Sequence, residues 1–520
     1  MHIGIDVGGT NTDAVLMDGR TVRAATKQAT SPDVTAGVVE ALRVLLAGSG
    51  VGTDDIAAVA IGTTHFTNAV IERRGLAPTA AIRLGMPAAA GVPPMAGWPK
   101  DLRMALGDRA YMCRGGHEFD GRRISDLEPD ELKRIAQDLA SNDITSVAVT
   151  SVFSPATAEM ELEAAQILTS ELPQLRVSLS HEIGRLGLLE RENATIINAA
   201  LLSIADRVTS AFQQALASTS IDSLLYLSQN DGTLMDVDFV RRYPVATFAA
   251  GPTNSMRGAA LLTGLKDCIV VDVGGTTTDV GAVTRGFPRP ATTAVDIGGV
   301  RTNFRMPDVV SIGIGGGSVV SFDPTVAVGP ESVGYRLREE SRVFGGRSLT
   351  ATDIAVAGGL ADLGDPEAVA DLDPRQVSAA LAQVSRRVGD LANTMRTTPE
   401  PVPLVLVGGG SILLLDEVPG FETVIRPDDY AVANAIGAAI AQVSGEVDHI
   451  YAGDTKDRTS MLREAQDEAV ARAVTAGADP ATVAVVEVDE LPIAYLPGDA
   501  VRVRVKAVGD LMLDGGRRWS

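Results

Sequence analysis

The sequence predicts an α/β protein made of two similar lobes, each a mixed sheet flanked by helices, followed by a small α+β module. The main observation is a repeat, because residues 6–13 read DVGGTNTD and residues 272–279 read DVGGTTTD. Each copy lies between two short apolar runs, which predicts a strand, a glycine turn and a second strand. After each copy, strand-like and helix-like segments alternate, and this pattern predicts mixed sheets covered by helices.

The elements of the first half follow from apolar spacing and turn residues. An Asp18-Gly19 pair closes a second hairpin, and apolar residues between Val34 and Leu45 recur at helical spacing. The elements predicted after the first turn are a strand at Thr21–Ala25, a helix at Val34–Leu45 capped at Ser31-Pro32, strands at Ala57–Ile61 and Ser146–Phe153, a helix at Ala156–Glu171 and a strand at Arg176–Leu179.

The second half repeats this order of elements loosely up to about residue 445, after which a charged helix and two further strands are predicted. Its predicted elements are a helix at Arg375–Met395, a strand at Leu404–Val407, an alanine-rich helix at Ala431–Val443, a charged helix at Met461–Ala476 and strands at Thr482–Val488 and Val501–Val508. We therefore predict a first lobe at residues 1–185, a second lobe at 186–445 and a small module at 446–520.

Composition excludes some classes of partner. Of the 520 residues, 45% are hydrophobic, and the formal net charge of −21 argues against nucleic acid or an anionic membrane as the main partner. A phosphate ligand stays open, because it needs only local donors. The chain begins on a strand-like run with neither a basic nor an apolar leader segment, so we expect no signal peptide, and no apolar stretch reaches the about 18 residues that a membrane span needs. Cys113 and Cys268 lack metal-ligand spacing, so we expect a reduced cytoplasmic protein.

The repeated turns have the chemistry of a phosphate site. A Gly-Gly pair supplies the positive-φ positions of a tight turn and lets backbone N–H groups approach an anion. Neighbouring hydroxyls add donors, and an Asp at the strand end can hold Mg²⁺, directly or through water. Two such turns predict one polyphosphate held from both sides. The predicted phosphate-binding residues are Gly8, Gly9, Thr10, Asn11, Thr12, Gly274, Gly275, Thr276 and Thr277, with Asp6 and Asp272 at the metal.

Further ordered motifs accompany the two turns. They are Gly62–Gly75 (GTTHFTNAVIERRG), Glu190-Arg191 with Asn198-Ala199, Ala250-Gly251-Pro252, Ser311–Ser318 (SIGIGGGS) and Gly408–Ser411 (GGGS). Together with the turns, they resemble the actin/sugar-kinase/Hsp70 ATPase superfold and, more narrowly, the hydantoinase A/oxoprolinase family, over roughly residues 1–445. The chain departs from that family at Asn193-Ala194, where many relatives carry Ser-Thr, and at Val310, where relatives often carry His.

The resemblance implies a fold, a cofactor and a reaction. It implies ribonuclease-H-like lobes with five-stranded mixed sheets around an ATP cleft, and ATP with Mg²⁺ as cofactors. It also implies a hydrolase subunit that phosphorylates a carbonyl oxygen of a cyclic amide (hydantoin, oxoproline or lactam type) for ring opening. A second, hydantoinase B-like subunit and an oligomer are implied as partners. Two alternatives stay open, namely a subunit of an ATP-dependent ketone carboxylase and a nucleotide-operated regulatory ATPase.

Within a two-lobed phosphotransferase of this kind, the positions of the motif residues predict their roles, and His65 stands directly beyond a strand end, where α/β sheets form sites. The predicted catalytic residues are Asp6, Asp272 and His65; the adenosine side is Gly408, Gly409, Gly410 and Ser411; and the substrate residues are Thr63, Thr64, Asn68, Arg191 and Gly316. Simpler interpretations remain for several of them. His65 could be a structural histidine, Asn68 a cap, Arg191 half of an ion pair and Gly316 part of a flexible loop. For Asp13 and Asp279 we prefer the simpler interpretation, in which each carboxylate only pins its hairpin by bonding backbone N–H groups.

Overall fold

The computed structural model describes residues 1–9, 11–29, 34–291, 294–323, 325–440, 442–451, 457–493 and 500–512. The strands are β1 His2–Val7, β2 Asn11–Asp18, β3 Thr21–Ala29, β4 Ala58–Thr63, β5 Thr79–Met86, β6 Arg109–Arg114, β7 Ser146–Ser151, β8 Arg176–Leu179, β9 Leu224–Ser228, β10 Leu234–Asp236, β11 Cys268–Val273, β12 Thr278–Thr284, β13 Phe287–Pro288, β14 Val295–Ile297, β15 Val300–Thr302, β16 Val309–Ile312, β17 Ser318–Ser321, β18 Ala327–Ser332, β19 Leu404–Val407, β20 Val424–Ile425, β21 Gln442–Tyr451, β22 Ala484–Pro492 and β23 Val501–Asp510.

The α-helices are α1 Val34–Ser49, α2 His65–Glu72, α3 Lys100–Ala105, α4 Pro129–Ser141, α5 Glu159–Glu171, α6 Ser180–Ile183, α7 Leu188–Ser218, α8 Val237–Arg242, α9 Ala250–Thr263, α10 Leu337–Glu340, α11 Ala351–Ala357, α12 Pro374–Thr394, α13 Ala433–Ala438 and α14 Arg458–Thr475. A 3₁₀ helix at Gly409–Leu413 follows β19. The predicted cap at Ser31-Pro32 lies outside the described residues.

Two sheets repeat one strand order. The first sheet runs β10-β9-β4-β1-β2-β3, and the second runs β13-β12-β11-β19-β20 with β16 also paired to β12. In each, an antiparallel meander of three strands is extended by two strands parallel to the first of the three. The predicted α/β class with a duplicated sheet is therefore confirmed. Each sheet holds six strands rather than five, because β10 turns back on β9 and β16 forms a second pair with β12.

Helices α9 and α13 form a layer between the two sheets. Met256 of α9 packs against the second sheet, and Ile436 of α13 packs against the first. The helices approach closely because both carry glycine at the contact. A Cβ added at Gly258 would lie 1.9 Å from the carbonyl oxygen of Ala433, and one added at Gly437 would lie 1.8 Å from that of Asn254. This layer carries the first turns of both helices toward the strand ends.

A separate parallel sheet is inserted into the first half. Strands β5–β8 pair in the order β6-β5-β7-β8, all parallel, with α4 and α5 against them. The predicted strands near residues 146–153 and 176–179 exist, but they belong to this inserted sheet rather than to the first one. Apolar runs do not reveal which sheet a strand joins, so the strand pattern alone could not separate the two.

The chain ends in a three-stranded sheet, β21-β23-β22, packed against α14. The charged helix and the last two strands are confirmed. The alanine-rich helix is shorter than predicted, since α13 ends at Ala438 and Val443 already lies in β21. In that strand every second residue is buried from Val443 through Gly445 to Val447, and burial with a period of two is typical of a strand. Ala441, within the predicted helix, lies outside the described residues.

The structure also bears on the predictions about membrane spans and cysteines. In the described part of the sequence, no helix is both long enough and apolar enough to cross a membrane. Cys113 and Cys268 are buried free thiols. The predicted bounds of the two lobes and the terminal module stay a prediction.

Candidate functional site

The two glycine turns have the same backbone arrangement. In the first, Asp6 pairs with Asp13 across β1 and β2, and in the second Asp272 pairs with Asp279 across β11 and β12. The N–H of Gly8 donates to the carbonyl of Asn11 (3.0 Å), and that of Gly274 donates to the carbonyl of Thr277 (2.9 Å). The repeat seen in the sequence is thus a repeat in space. Thr10 lies outside the described residues.

The glycines of these turns serve a different purpose from the predicted one. Gly8, Gly9 and Gly274 do not adopt positive φ. Around Gly9 there is open space, whereas the second turn is in tight contact with the loop at Gly313–Gly317. A Cβ at Gly315 would lie 2.6 Å from the backbone nitrogen of Thr276. Close approach to the backbone of the second turn, rather than left-handed backbone, is what requires glycine at position 315 of this loop.

The first turn carries a bonded cluster of charges. Nζ of Lys27 donates to both carboxylate oxygens of Asp13 at 2.5 and 2.6 Å. Nδ2 of Asn434, on α13, donates to Asp6 at 2.9 Å and to Asp13 at 3.0 Å. The preferred interpretation of Asp13 as a hairpin pin is therefore wrong, because its recorded partners are a lysine and an amide side chain.

The second turn has hydroxyl partners instead. The hydroxyl of Ser255, on α9, donates to Asp272 at 2.5 Å. Asp279 accepts a short bond from the hydroxyl of Ser311. Here too the carboxylate bonds a side chain rather than only pinning its hairpin, so the simpler interpretation of Asp279 is wrong as well.

Crowding of carboxylates changes their proton affinity. Burial, reinforced by the charges of Asp13 and Asp272, raises the pKa of Asp6 to about 7. Burial also raises the pKa of Asp272, against the bond from Ser255. The pKa of Asp279 is raised to about 6, again by burial first. The charge of Asp272, in the second turn, raises the pKa of Asp6 in the first. The charge of Lys27, beside the first turn, lowers the pKa of Asp272. The two turns therefore face each other across one acidic centre.

The glycine loop after β19 closes this centre from the second sheet. Gly408 has φ of 82°, and a Cβ there would lie 2.1 Å from Oδ1 of Asp272. Gly410 packs on the carbonyl of Gly274, while the exposed Gly409 faces Cε of Lys27, 3.8 Å from its own Cβ position. Among the described residues, the buried Ser411 hydroxyl has no hydrogen-bond partner. The predicted adenosine-side loop therefore lies beside both turns.

Thr63, Thr64 and His65 lie where β4 ends and α2 begins. Val7 pairs with Thr63 and Asp6 with Gly62, so this strand end is next to the first turn. Nδ1 of His65 lies 2.6 Å from the Thr63 hydroxyl, and burial lowers the pKa of His65. A neutral imidazole is therefore favoured at neutral pH. Asn68, one turn further along α2, is exposed, and its amide lies 3.4 Å from the Thr64 hydroxyl.

The first part of α9 lies beside the end of β4 and the first turn. A Cβ on Gly62 would lie 2.4 Å from Nδ2 of Asn254 and 2.6 Å from Oδ1 of Asp6. Only glycine at position 62 lets this amide and this carboxylate share the space. Within the described part of the chain, buried Nδ2 of Asn254 and the buried hydroxyl of Ser228 lack hydrogen-bond partners. Such groups are suited to a bound ligand or water.

Arg191 and Gly316 have structural surroundings. Arg191 is buried, and its guanidinium donates to the Ser180 hydroxyl and to the carbonyls of Arg185 and Ser151. Gly316 is buried under the second turn, where its N–H donates to the Gly274 carbonyl and its own carbonyl accepts from Thr352. A role of either residue in substrate binding stays a prediction.

Sequence reasoning missed four residues at this centre, namely Lys27, Asn254, Ser255 and Asn434. Lys27 had a usable signal, because it stands directly opposite Asp13 in the pairing of β2 with β3. Asn254 and Ser255 lie two and three residues after the Ala250-Gly251-Pro252 motif. Asn434 had no local signal, since it reaches Asp6 from a helix more than 400 residues along the chain.

Comparison with known proteins identifies the family of these features. The hydantoinase/oxoprolinase N-terminal region matches residues 2–172, and the hydantoinase/oxoprolinase region matches residues 191–362. Caprolactamase subunit alpha of Pseudomonas jessenii is 26% identical over 389 residues, covering 69% of this chain and 55% of that protein. An uncharacterized protein of Methanocaldococcus jannaschii is 24% identical over 309 residues, covering 55% of this chain and 44% of that protein. The chain spans about half the length of these curated relatives.

Solved structures share the fold over nearly the whole chain. ATP-dependent caprolactamase from Pseudomonas jessenii superposes with a TM-score of 0.78 at 18% identity, over 99% of this chain and 88% of that one. Nucleotide-free acetone carboxylase superposes with a TM-score of 0.71, also at 18% identity and over the same shares of both chains. At this level of identity the likeness establishes the architecture.

Proposed function

The chain belongs to the hydantoinase/oxoprolinase family, and on this premise we propose that it is the ATP-using subunit of an enzyme that activates a cyclic amide. The substrate class is a hydantoin, oxoproline or lactam. In the proposed step the carbonyl oxygen of the amide bonds to the γ-phosphorus of ATP. The bond from that phosphorus to the bridging oxygen breaks, and ADP leaves with its electron pair. The activated ring is then opened.

One observation carries the proposal, namely two equivalent glycine turns that face each other across Asp6 and Asp272. Phosphoryl transfer depends mainly on positioning and charge neutralisation, and a pair of turns can supply both from opposite sides. The neighbouring chemistry supports the same reaction. Lys27 supplies a cation, and the Gly408–Ser411 loop supplies the hydroxyl of Ser411, which has no hydrogen-bond partner among the residues that the structure describes.

The residues present fit Mg²⁺ held mainly through water and phosphate. Asp6, Asp13 and Asp272 offer hard carboxylate oxygens whose mutual repulsion a divalent cation would relieve. In the described parts of the chain, no group of three or more His, Cys, Asp or Glu side chains is arranged to hold a metal by itself. Magnesium prefers to keep several waters and to bind phosphate oxygens, and this sparse ligand set suits that preference. Bound there, it would neutralise charge on the transferred phosphoryl group.

The end of β4 is the proposed substrate side. Thr63, Thr64 and Asn68 offer hydroxyl and amide donors, and His65 offers a neutral imidazole beside the first turn. We assign His65 to orienting the amide carbonyl or accepting a proton, as the chemistry of a neutral imidazole allows. The departures from the family at Asn193-Ala194 and Val310 lie on other elements, in α7 and β16, and leave this strand end intact.

A second subunit completes the proposed enzyme. The relative from Pseudomonas jessenii is named as an alpha subunit, and this chain spans about half its length. We therefore propose a hydantoinase B-like partner that carries out the ring opening, within an oligomer of both chains.

The test is a comparison of matched variants with the wild type. Purified protein, alone and with the candidate partner, is assayed for ADP release across hydantoins, lactams and ketones in the presence of Mg²⁺. We expect cyclic amides to stimulate release, and Asp6→Ala and Asp272→Ala each to lower it by at least about 10²-fold, since each removes charge placement at the phosphoryl group. An exposed carboxylate variant, Asp54→Ala, should leave release unchanged.

The outcomes separate the alternatives. If both variants keep full activity, the phosphate-site assignment is wrong. Bicarbonate-dependent ADP release with ketones would instead identify a carboxylase subunit, a reading supported at the level of fold by the acetone carboxylase superposition. Nucleotide binding without stimulation by any small molecule would favour the regulatory ATPase.

A further inference from the structure

A second cluster of chemical groups lies outside the cleft, at the carboxyl edge of the inserted parallel sheet. Its centre is Glu161 of α5, whose side chain is fully buried. Oε1 accepts from the N–H of Ser151 at 2.7 Å and from the Ser180 hydroxyl at 2.5 Å. Oε2 lies 3.0 Å from the N–H of His181 and 2.6 Å from its Nδ1. Four polar partners thus surround one buried carboxylate.

The hydrogen bonds indicate which atoms of this cluster carry protons. Burial alone would raise the pKa of Glu161, but the bonds from His181 and Ser180 more than offset it, so the pKa is lowered and the group is ionised. An ionised carboxylate only accepts, so Nδ1 of His181 must carry a proton. The Ser180 proton goes to Glu161, which leaves its oxygen to accept from Arg191 and Ser154. In the neutral ring, the lone pair is then on Nε2.

The position in the fold is one where α/β proteins bind ligands. All pairs in this sheet are parallel, and the order β6-β5-β7-β8 means that the chain goes to one side of β5 and then to the other. Ligands of such sheets bind outside the carboxyl ends of the strands. Ser151 ends β7, and Ser180 and His181 directly follow β8. The cluster therefore lies at that edge, with the His181 side chain 18% exposed.

Other uses of an oriented histidine fit less well. A carboxylate often orients a metal-bound histidine, but no set of three candidate ligands occurs in the described residues. A purely structural pair is illustrated by His449, whose Nε2 bonds to Glu468 at 2.9 Å with both side chains 36% exposed. His181 differs, because its carboxylate partner is buried and held by three further bonds. Among the described residues, no recorded hydrogen bond reaches its Nε2.

We propose that this edge is a second ligand site, at which Nε2 of His181 accepts the N–H hydrogen bond, and then the proton, of a small neutral amide. The choice of a cyclic amide as that ligand rests on the proposed function. In the step, the N–H bond breaks, its electron pair stays on the amide, and the proton bonds to Nε2. The imidazolium then faces the Glu161 carboxylate.

The test combines binding and turnover on the full chain, with its partner where turnover requires one. Protein labelled with ¹⁵N in its histidines is titrated with hydantoin or a lactam, and the ring resonances of His181 and His449 are followed. ADP release and nucleotide binding are measured for His181→Gln, Glu161→Gln and the control His449→Gln. At a pH where the ring is neutral, the wild type should show the proton of His181 on Nδ1 and none on Nε2.

We expect the amide to shift the Nε2 signal of His181 and to leave that of His449 in place. His181→Gln should lower substrate-stimulated turnover by about 10²–10⁴-fold while nucleotide affinity and unfolding temperature stay at wild-type values. Glu161→Gln should lower turnover and abolish the preference for protonated Nδ1, and His449→Gln should match the wild type.

Two results would overturn the inference. One is an unchanged His181 signal at amide concentrations that saturate turnover, or at the solubility limit if no turnover exists. The other, for a wild type that does release ADP with an amide, is turnover by His181→Gln equal to that of His449→Gln. Failure of the proposed function looks different, because the wild type would then release no ADP in response to any amide, whatever the His181 signal does.

Discussion

In the first turn, Asp13 bonds to Lys27 and Asn434, whereas in the second turn its counterpart Asp279 bonds to the Ser311 hydroxyl. The two turns also differ in how closely other parts of the chain pack around them. Gly9 has nothing within 4 Å of its Cβ position, while Gly315 is pressed against the backbone of the second turn. The two copies therefore share a backbone path but differ in what stabilises it. The first turn is open and is stabilised by charged and amide side chains, whereas the second is enclosed and is stabilised by packing.

The largest expected effect concerns this difference in packing. Gly315→Ala should destabilise the protein by about 3 kcal/mol, because a Cβ 2.6 Å from the Thr276 nitrogen must displace backbone. Gly9→Ala, in open space, should change the free energy of unfolding by no more than about 0.5 kcal/mol. Urea unfolding of both variants is the measurement. Equal losses at the two positions would show that the turns do not differ in enclosure.

A second prediction concerns the difference in charge. Lys27→Met removes the lysine that neutralises Asp13 and faces Gly409, and should lower nucleotide turnover by about 10²-fold. Ser255→Ala removes one neutral donor from Asp272 and should cost about tenfold or less. Steady-state ADP release tests both, with Lys133→Met on the exposed surface of α4 as the control. A larger loss for Ser255→Ala would reverse the comparison.

The smallest expected effect is a dependence of stability on pH. The carboxyl of Asp279 has a pKa raised from 3.8 to about 6, so its contribution to stability is full below about pH 3.8 and is lost as pH rises through 6. Asp279→Asn should therefore gain stability relative to wild type, by about 1–2 kcal/mol, between pH 4 and pH 7.5. Urea unfolding at both pH values measures the change. Asp54→Asn, at an exposed position, should show none, and a constant difference for Asp279→Asn would contradict the assignment.

Sequence patterns recovered the parts of the fold that are local. The glycine turns, the helix at α12 and the strand at β19 all follow from short runs whose periodicity belongs to one element. The partners of the turns did not follow, since Asn434 and Ser255 arrive from the middle layer and depend on tertiary packing. The same reason explains the inserted sheet, whose strands have the usual apolar composition and differ only in their neighbours. His181 was missed because its partner Glu161 is 20 residues away on another element.

Insertion of the parallel sheet between β4 and β9 has a consequence for synthesis on the ribosome. Strand β4 pairs with β9 through Ala58↔Leu224 to Ile61↔Leu227, so the first sheet cannot close until the whole insertion has emerged. Until then β4 is an unpaired strand edge of buried-type residues, which is prone to wrong pairing. Loop closure over so long a segment is slow unless the insertion folds first and brings its ends together. The inserted sheet, whose pairings are all internal, can do so, and its early folding would shorten the time for which β4 is exposed to aggregation.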